Sequence, residues 1–287
     1  MKLGVLCSGN LGFQILSKLY NVHKISFVFT NSKSNIIIDF CNKNQIDLFI
    51  GNPRNGKCLS FINQKDCDIL FSINYLFIID EPLISLPKKH AINIHGSLLP
   101  KYRGRTPHVW AIINNENKTG ITAHLIDEKC DNGDIIEQVE IEIFHEDTGA
   151  MILEKFNALY WPLIKKIIHN IQNQSIKLVP QNHSKASYFG KRTPNDGKIN
   201  WDWQKERIYN WVRAQADPYP GAFCFFKEKK LTIDKISFCN DGFNSETPNG
   251  TILSFKPIKV KTCNGVIQID KLRGNLVFDS KNKYILE

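Results

Sequence analysis

No stretch of the 287 residues approaches the run of about 18 apolar residues that a membrane-spanning helix requires. The N-terminus, MKLGVLCSGN, offers a single lysine and then five residues before polar Ser8, too short for the apolar region of a secretion signal. These two absences predict a cytoplasmic protein without a membrane partner. The eight cysteines, at 7, 41, 58, 67, 130, 224, 239 and 263, show no C-x-x-C spacing, so neither a zinc ribbon nor a disulfide framework is indicated. Buried free thiols and no metal are expected. There is no internal repeat and no low-complexity tract, which sets aside solenoids and disordered tails.

What is present is the composition of an ordinary globular protein, 42% hydrophobic and 23% charged, and the length suits two modest domains with their own cores. A formal charge of +9 suits an anionic partner: nucleic acid, a membrane surface or a diphosphate-bearing metabolite. Lysines spread along the chain account for most of that charge as solubility. Only Lys101, Arg103 and Arg105 alternate so as to place three cations on one side of an extended loop.

The first half reads as a βαβ series. KLGVLC, ISFVFT, DLFI and ILFSIN are short apolar strands, separated by helices beginning after SGNLG and over residues 34 to 43. Continuous apolar strands joined by helices imply an α/β class with a Rossmann-like parallel sheet covered on both faces. In the next strand, AINIH, period-two alternation turns Ile92 and Ile94 one way and Asn93 and His95 the other, at the strand's carboxyl end. Open α/β sheets bind ligands there. A helix follows from near Pro107, then the strands GITAHLID and DIIEQVEIEI, then a long helix from about Thr148 to Ile171. We expect a catalytic domain over 1–180, a linker and helix over 181–221, and a small β-rich domain over 222–287, where short strands alternate with Gly, Asn and Asp.

SGNLG after the first strand is an incomplete dinucleotide fingerprint, since Cys7 stands where the first glycine belongs. A plain Gly turn feeding a helix explains it, and so does a milder function in which backbone N–H groups hold a substrate phosphate or carboxylate. Asn93 and His95 together could serve one carbonyl as an amide donor and a titratable imidazole. Equally they could be a polar strand end. Asp131, in CDNGD, could be the acidic member, although Asp-Asn-Gly is first of all a turn sequence.

Taken together, Asn93-Ile94-His95, Ser97-Leu98-Leu99-Pro100 and Asp131-Asn132-Gly133, with a His-to-Asp separation of 131 − 95 = 36, resemble the folate-dependent formyltransferases over nearly the whole chain. The resemblance implies transfer of the formyl group of N10-formyltetrahydrofolate to an amine, with no metal. It makes Asn93 an oxyanion donor, His95 a proton handler, and Asp131 the carboxylate that orients His95 or draws the proton from the amine. It also places the pterin between residues 74–80 and 126–131, with Phe77, Ile78 and Ile79 as apolar walls and Asp127 and Glu128 on the facing loop. The C-terminal part would be an oligonucleotide-binding-type barrel or a reduced form of it, used for homodimer contact.

Two acceptors fit the family: the amine of methionyl-tRNA and an amino group on a nucleotide-linked sugar. Relatives acting on tRNA carry a basic, Gly-rich insertion after the second strand, whereas here Lys33 is the one cation between Thr30 and Ile38. The stretches KRTPNDGKINW and VRAQADPYPGAF also resemble the sugar enzymes. The expected acceptor is therefore a dTDP- or UDP-linked 4-amino sugar, with dTDP-4-amino-4,6-dideoxyglucose as the specific choice, serving O-antigen or other surface polysaccharide. Nucleic acid is not an expected partner. In this reading Ser8, Gly9, Asn10 and Tyr75 contact the nucleotide-linked sugar, and Arg103 or Arg105 faces its diphosphate.

Overall fold

The computed structural model describes residues 1–274 and 284–287. They form two compact units that share the chain in alternating segments: 1–104, 120–141 and 155–189 in the first, and 105–119, 142–154 and 190–287 in the second. The first unit thus runs through Phe189, beyond residue 180, and gives up two inner segments. Residues 275–283 of the expected β-rich domain lie outside the described residues.

The first unit is built on β1 (Lys2–Cys7), α1 (Gly9–Tyr20), β2 (Lys24–Thr30), α2 (Asn35–Lys43), β3 (Leu48–Ile50), α3 (Leu59–Ile62), β4 (Cys67–Ile73), α4 (Glu81–Ile84) and β5 (Pro87–His95). The two-residue strand β6 (Arg103–Gly104) follows in the same unit. The chain then passes through α5 (Pro107–Ile113), β7 (Lys118–Leu125), β8 (Ile135–Glu142), α6 (Gly149–Gln172) and β9 (Tyr188–Phe189). The large sheet has the order β3-β2-β1-β4-β5-β7-β8. Its pairings are parallel from β3 to β5, and β5 pairs antiparallel with β7, so the sheet is mixed rather than wholly parallel. The central strands read as unbroken apolar runs because they are covered on both faces. Leu3, Val5, Leu6, Phe27, Phe29 and Phe71 are fully buried; Leu6, Phe27 and Phe29 pack with Ile62, Leu70 and Leu83, and α1 buries its own Leu11, Ile15, Leu16 and Leu19.

The second unit holds α5, α7 (Lys205–Ala214) and the strands β10 (Ala222–Phe226), β11 (Lys229–Cys239), β12 (Ile252–Phe255), β13 (Ile258–Thr262) and β14 (Gly265–Arg273). The strand order is β10-β11-β14-β13-β12, with every pairing antiparallel. Residues 284–287 run between the two edge strands. Ile252 N donates to Tyr284 O at 2.8 Å on one side, and Phe225 and Glu287 exchange two backbone bonds, at 2.7 and 2.9 Å, on the other. The region is thus β-rich and antiparallel, as expected, with the tail bonded to both edge strands.

The eight cysteines, all among the described residues, form no disulfide. Burial pushes the thiols of Cys41, Cys67 and Cys224 up to about 12, so they stay protonated and inert at neutral pH. The expectation of buried thiols does not extend to Cys130 and Cys263, which are exposed. No helix among the described residues is long and apolar enough to cross a membrane.

Candidate active site

The antiparallel switch at β5 builds the site. Residues directly opposite each other on neighbouring antiparallel strands share a face. The register pairs Asn93 with His124 and His95 with Thr122. Ile92 and Ile94 go into the core, and the polar pair emerges on the other face, joined there by two polar residues of β7.

His95 is 7% exposed, and its Nε2 lies 2.8 Å from the carbonyl oxygen of Tyr102. A carbonyl only accepts, so Nε2 donates, and Nδ1 is the ring atom that remains for proton chemistry. Nδ1 faces Oδ1 of Asp131 at 3.6 Å. The same Oδ1 is 3.4 Å from the Asn93 amide nitrogen and 3.6 Å from His124 Nε2. His124 Nδ1 donates to the Leu125 carbonyl at 2.7 Å, which leaves Nε2 to accept from Asn93 Nδ2 at 3.1 Å. One carboxylate oxygen is therefore the meeting point of three polar side chains. The other, Oδ2, accepts the Gly104 N–H at 2.9 Å and the Cys130 thiol at 3.2 Å.

The electrostatics follow from that geometry. Burial of Asp131 acts to raise its pKa, but His95, His124 and the Gly104 N–H together outweigh it and hold the carboxyl below the usual carboxylate range. Asp131 is thus ionised at neutral pH.

Two glycines make the approach possible. A Cβ at Gly133 would overlap the Leu125 carbonyl oxygen, so the third position of Asp131-Asn132-Gly133 brings the loop back onto β7. Gly104, at φ +101°, presses against the Phe189 carbonyl, where any side chain would collide. The Ser-Leu-Leu-Pro loop is fixed by Thr122, whose hydroxyl donates to Ser97 O at 2.6 Å and accepts from Leu99 N at 3.2 Å.

The other expected site residues divide. Ser8 is 2% exposed, and its hydroxyl, at the start of α1, has no hydrogen-bond partner among the described residues. Gly9, at φ +65°, already donates its N–H to Ser34 Oγ at 3.0 Å, so that backbone group is not left for a substrate phosphate. Asn10 is exposed beside it. Tyr75 packs its ring against the core and places its hydroxyl 3.4 Å from the Gly51 carbonyl, and burial raises its pKa. Ile79 is a core residue at 6% exposure, packed with Leu83 and Leu70, and is not a cleft wall. Ile78 is exposed and Phe77 half-buried, and both stay available. Asp127 staples its own turn by accepting from Lys129 N at 3.0 Å and Asn132 Nδ2 at 2.6 Å, while Glu128 is exposed.

Arg103 departs most from expectation. It does not face a diphosphate, because it is 1% exposed and both terminal nitrogens are committed within the protein. Nη1 donates to Asn132 Oδ1 at 3.1 Å and to the Tyr188 hydroxyl at 2.5 Å, and Nη2 lies 2.5 Å from Gln181 Oε1 and 3.1 Å from His183 Nδ1. Alternation of Lys101, Arg103 and Arg105 suggested three solvent-facing cations, but Arg103 lies on β6, whose pairing with β9 buries it. Arg105 is exposed and belongs to the second unit.

Residues 24–161 match the formyl transferase domain, and residues 191–276 match the formyl transferase C-terminal domain. The chain belongs to the formyl transferases. It is 35% identical over 262 residues, 89% of its length, to the bifunctional polymyxin resistance protein ArnA of Wigglesworthia glossinidia brevipalpis, and it spans 38% of the length of that relative. Among solved structures it is similar to the N-formyltransferase from Helicobacter canadensis in complex with folinic acid and dTDP-3-aminofucose. That likeness has a TM-score of 0.74 at 23% identity and covers 94% of this chain and 98% of the other. It is also similar to a 4-N formyltransferase from Francisella tularensis, with a TM-score of 0.65 at 25% identity and coverage of 81% and 96%.

The residues of this formyl transferase that composition and spacing did not single out are His124, Tyr102 and Gly104. His124 had a signal, standing two positions after Thr122 in a strand of alternating pattern. The contributions of Tyr102 and Gly104 are main-chain groups, which side-chain motifs do not announce.

Proposed function

We propose that this formyl transferase moves the formyl group of N10-formyltetrahydrofolate to the amino group of a nucleotide-linked sugar, with dTDP-4-amino-4,6-dideoxyglucose as the specific acceptor. The observation that carries the reading is the convergence of Asn93, His95 and His124 on one oxygen of an ionised Asp131, an arrangement suited to attack by an amine on a formyl carbon. The likeness to a 4-N formyltransferase supports a 4-amino sugar as acceptor.

In the reaction a neutral amine forms a C–N bond to the formyl carbon, an oxyanion develops, and the bond from that carbon to N10 of the folate breaks. One proton leaves the incoming nitrogen and one is gained by N10, so the balance needs no other reactant. Asn93 supplies the oxyanion with an N–H. Its 3.4 Å bond to Asp131 is long and weak, and a substrate oxygen displaces it at little cost. Asp131 and Nδ1 of His95 face each other across the path of the proton, and the anion stabilises the imidazolium formed when His95 accepts it. Phe77 and Ile78 offer apolar contact to the pterin. Ser8 and Asn10 face the nucleotide-linked sugar.

Transfer to methionyl-tRNA is disfavoured by the turn between β2 and α2, which is four residues, 31–34, with Lys33 as its one cation. That turn folds back on itself, with Asn31 and the Gly9 N–H both bonded to Ser34 Oγ. It presents no clustered charge for a phosphate backbone. Offering dTDP-4-amino sugars, UDP-4-amino sugars and methionyl-tRNA in parallel, each with N10-formyltetrahydrofolate, tests the acceptor. Formylation of a nucleotide-linked sugar is expected, and activity confined to tRNA would overturn the assignment.

Ser8→Ala removes the buried hydroxyl left for a ligand. If it binds the acceptor, KM for the nucleotide sugar rises about 3- to 10-fold with kcat unchanged, the signature of a lost ground-state hydrogen bond. An unchanged KM would assign Ser8 to packing alone.

A further inference from the structure

Asp131 is held by more than the groups that react. Its φ is +51°, a left-handed backbone that costs a non-glycine residue about 1 kcal/mol and persists only when its surroundings fix it. Gln181, 50 residues further along the chain and 6% exposed, provides that fixing. Its Nε2 donates to the carbonyls of both Asp131, at 3.1 Å, and Gly133, at 2.7 Å, so one amide ties down the main chain on either side of Asn132. Its Oε1 accepts from Arg103 at 2.5 Å, and Arg103 in turn donates to Asn132 Oδ1 at 3.1 Å. The residue after Arg103 is Gly104, whose N–H binds the Asp131 carboxylate. Gln181 thus links the main chain of the aspartate to the strand that holds its side chain.

The same stretch of chain also reaches the histidine. The Arg103 N–H donates to Ser187 O at 2.8 Å, Ser187 Oγ accepts the Tyr102 N–H at 2.9 Å, and Phe189 stacks on the Tyr102 ring at 4.9 Å. Tyr102 is the residue whose carbonyl sets the His95 ring. Residues 181–189, which compositional reading assigns to a linker, are built into the site's foundation.

We propose that Gln181 is a positioning residue for formyl transfer, fixing the Asp131 loop so that the carboxylate meets His95 and Asn93. This rests on the reading of Asp131 as the catalytic carboxylate. A misplacement of about 1 Å at such a site is sufficient for a loss of order 100-fold, whereas a buried amide with a purely structural role would lower stability and leave turnover of the folded protein unchanged.

The test compares Gln181→Met, which removes both donors and the acceptor, with Gln181→Asn, which keeps an amide too short to span the gap. The second serves if the first does not fold. Each is placed in wild-type and Asp131→Asn backgrounds, with folding at the assay temperature verified by circular dichroism. In the wild-type background kcat is expected to fall roughly 10- to 100-fold, while the dissociation constant for dTDP stays within about threefold. In the Asp131→Asn background the Gln181 change is expected to add less than about threefold, because two residues acting through one group are not additive. Near-normal kcat in a folded Gln181 variant, losses that multiply in the double variant, or parallel loss of dTDP binding would each overturn the proposal. If Asp131→Asn itself keeps full turnover, the reading of the site fails instead, and the two failures are told apart by that single variant.

Discussion

His95→Ala is expected to lower kcat by about 10²- to 10⁴-fold, the range of a positioned general acid–base group, with dTDP binding nearly unchanged. The expectation comes from which ring atom is committed. Nε2 is tied to the Tyr102 carbonyl, so it fixes the ring rather than handling protons. Nδ1 faces Asp131 across 3.6 Å, while the Nε2 of His124, at the same distance from Asp131, is engaged by the Asn93 amide. Removing the ring takes away the proton acceptor and the group that faces Asp131 at 3.6 Å. Steady-state kinetics with saturating folate donor measure the loss. Turnover within about threefold of wild type would remove His95 from the chemistry.

Asp131→Asn is expected to reduce kcat by a comparable factor, roughly 10²- to 10⁴-fold, although the two side chains are nearly isosteric. A neutral amide cannot stabilise the imidazolium that forms at His95. It also presents an N–H where the Gly104 N–H or the Asn93 amide now finds an acceptor. The pH dependence has a defined sign. The folded carboxyl sits below its unfolded value, so its pairing with His95, His124 and Gly104 contributes stability fully present above the unfolded pKa of about 3.9. That contribution is lost as pH falls through the folded pKa. The variant should therefore lose less stability on acidification than the wild type, as read by thermal unfolding between pH 3 and 7. In the wild type, any acid limb of the kcat profile near neutrality arises from a group other than Asp131. An acid loss of stability identical in the two proteins would show that the carboxylate is not held as described.

The sequence spoke most clearly where period and burial coincide. The apolar runs of β1, β2 and β4 are continuous because each strand is covered on both faces, and the alternation in AINIH sent Ile92 and Ile94 inward and Asn93 and His95 to one face. It spoke least where long-range pairing decides. Nothing local shows that β7 runs antiparallel to β5, yet that pairing brings His124 opposite Asn93. Alternation with Lys101 and Arg105 places Arg103 on one side of an extended loop as a candidate diphosphate contact, but its burial depends on Gln181 and Tyr188, some 80 residues away. Ile79 went the other way, from an expected cleft wall to a core residue, since α4 packs its Leu83 beside it. For His124 and Arg103 the deciding partner lies far along the chain, where composition and spacing carry no signal, whereas Ile79 is decided by the packing of the adjacent α4.

The most direct test of the account follows an isotopically labelled formyl group from N10-formyltetrahydrofolate in a single turnover, using wild type and Asp131→Asn with dTDP-4-amino-4,6-dideoxyglucose. The account predicts label in amide linkage on the sugar nitrogen for the wild type and almost none for the variant. Label that never reaches a sugar amine, or that reaches it equally well in both proteins, would contradict it.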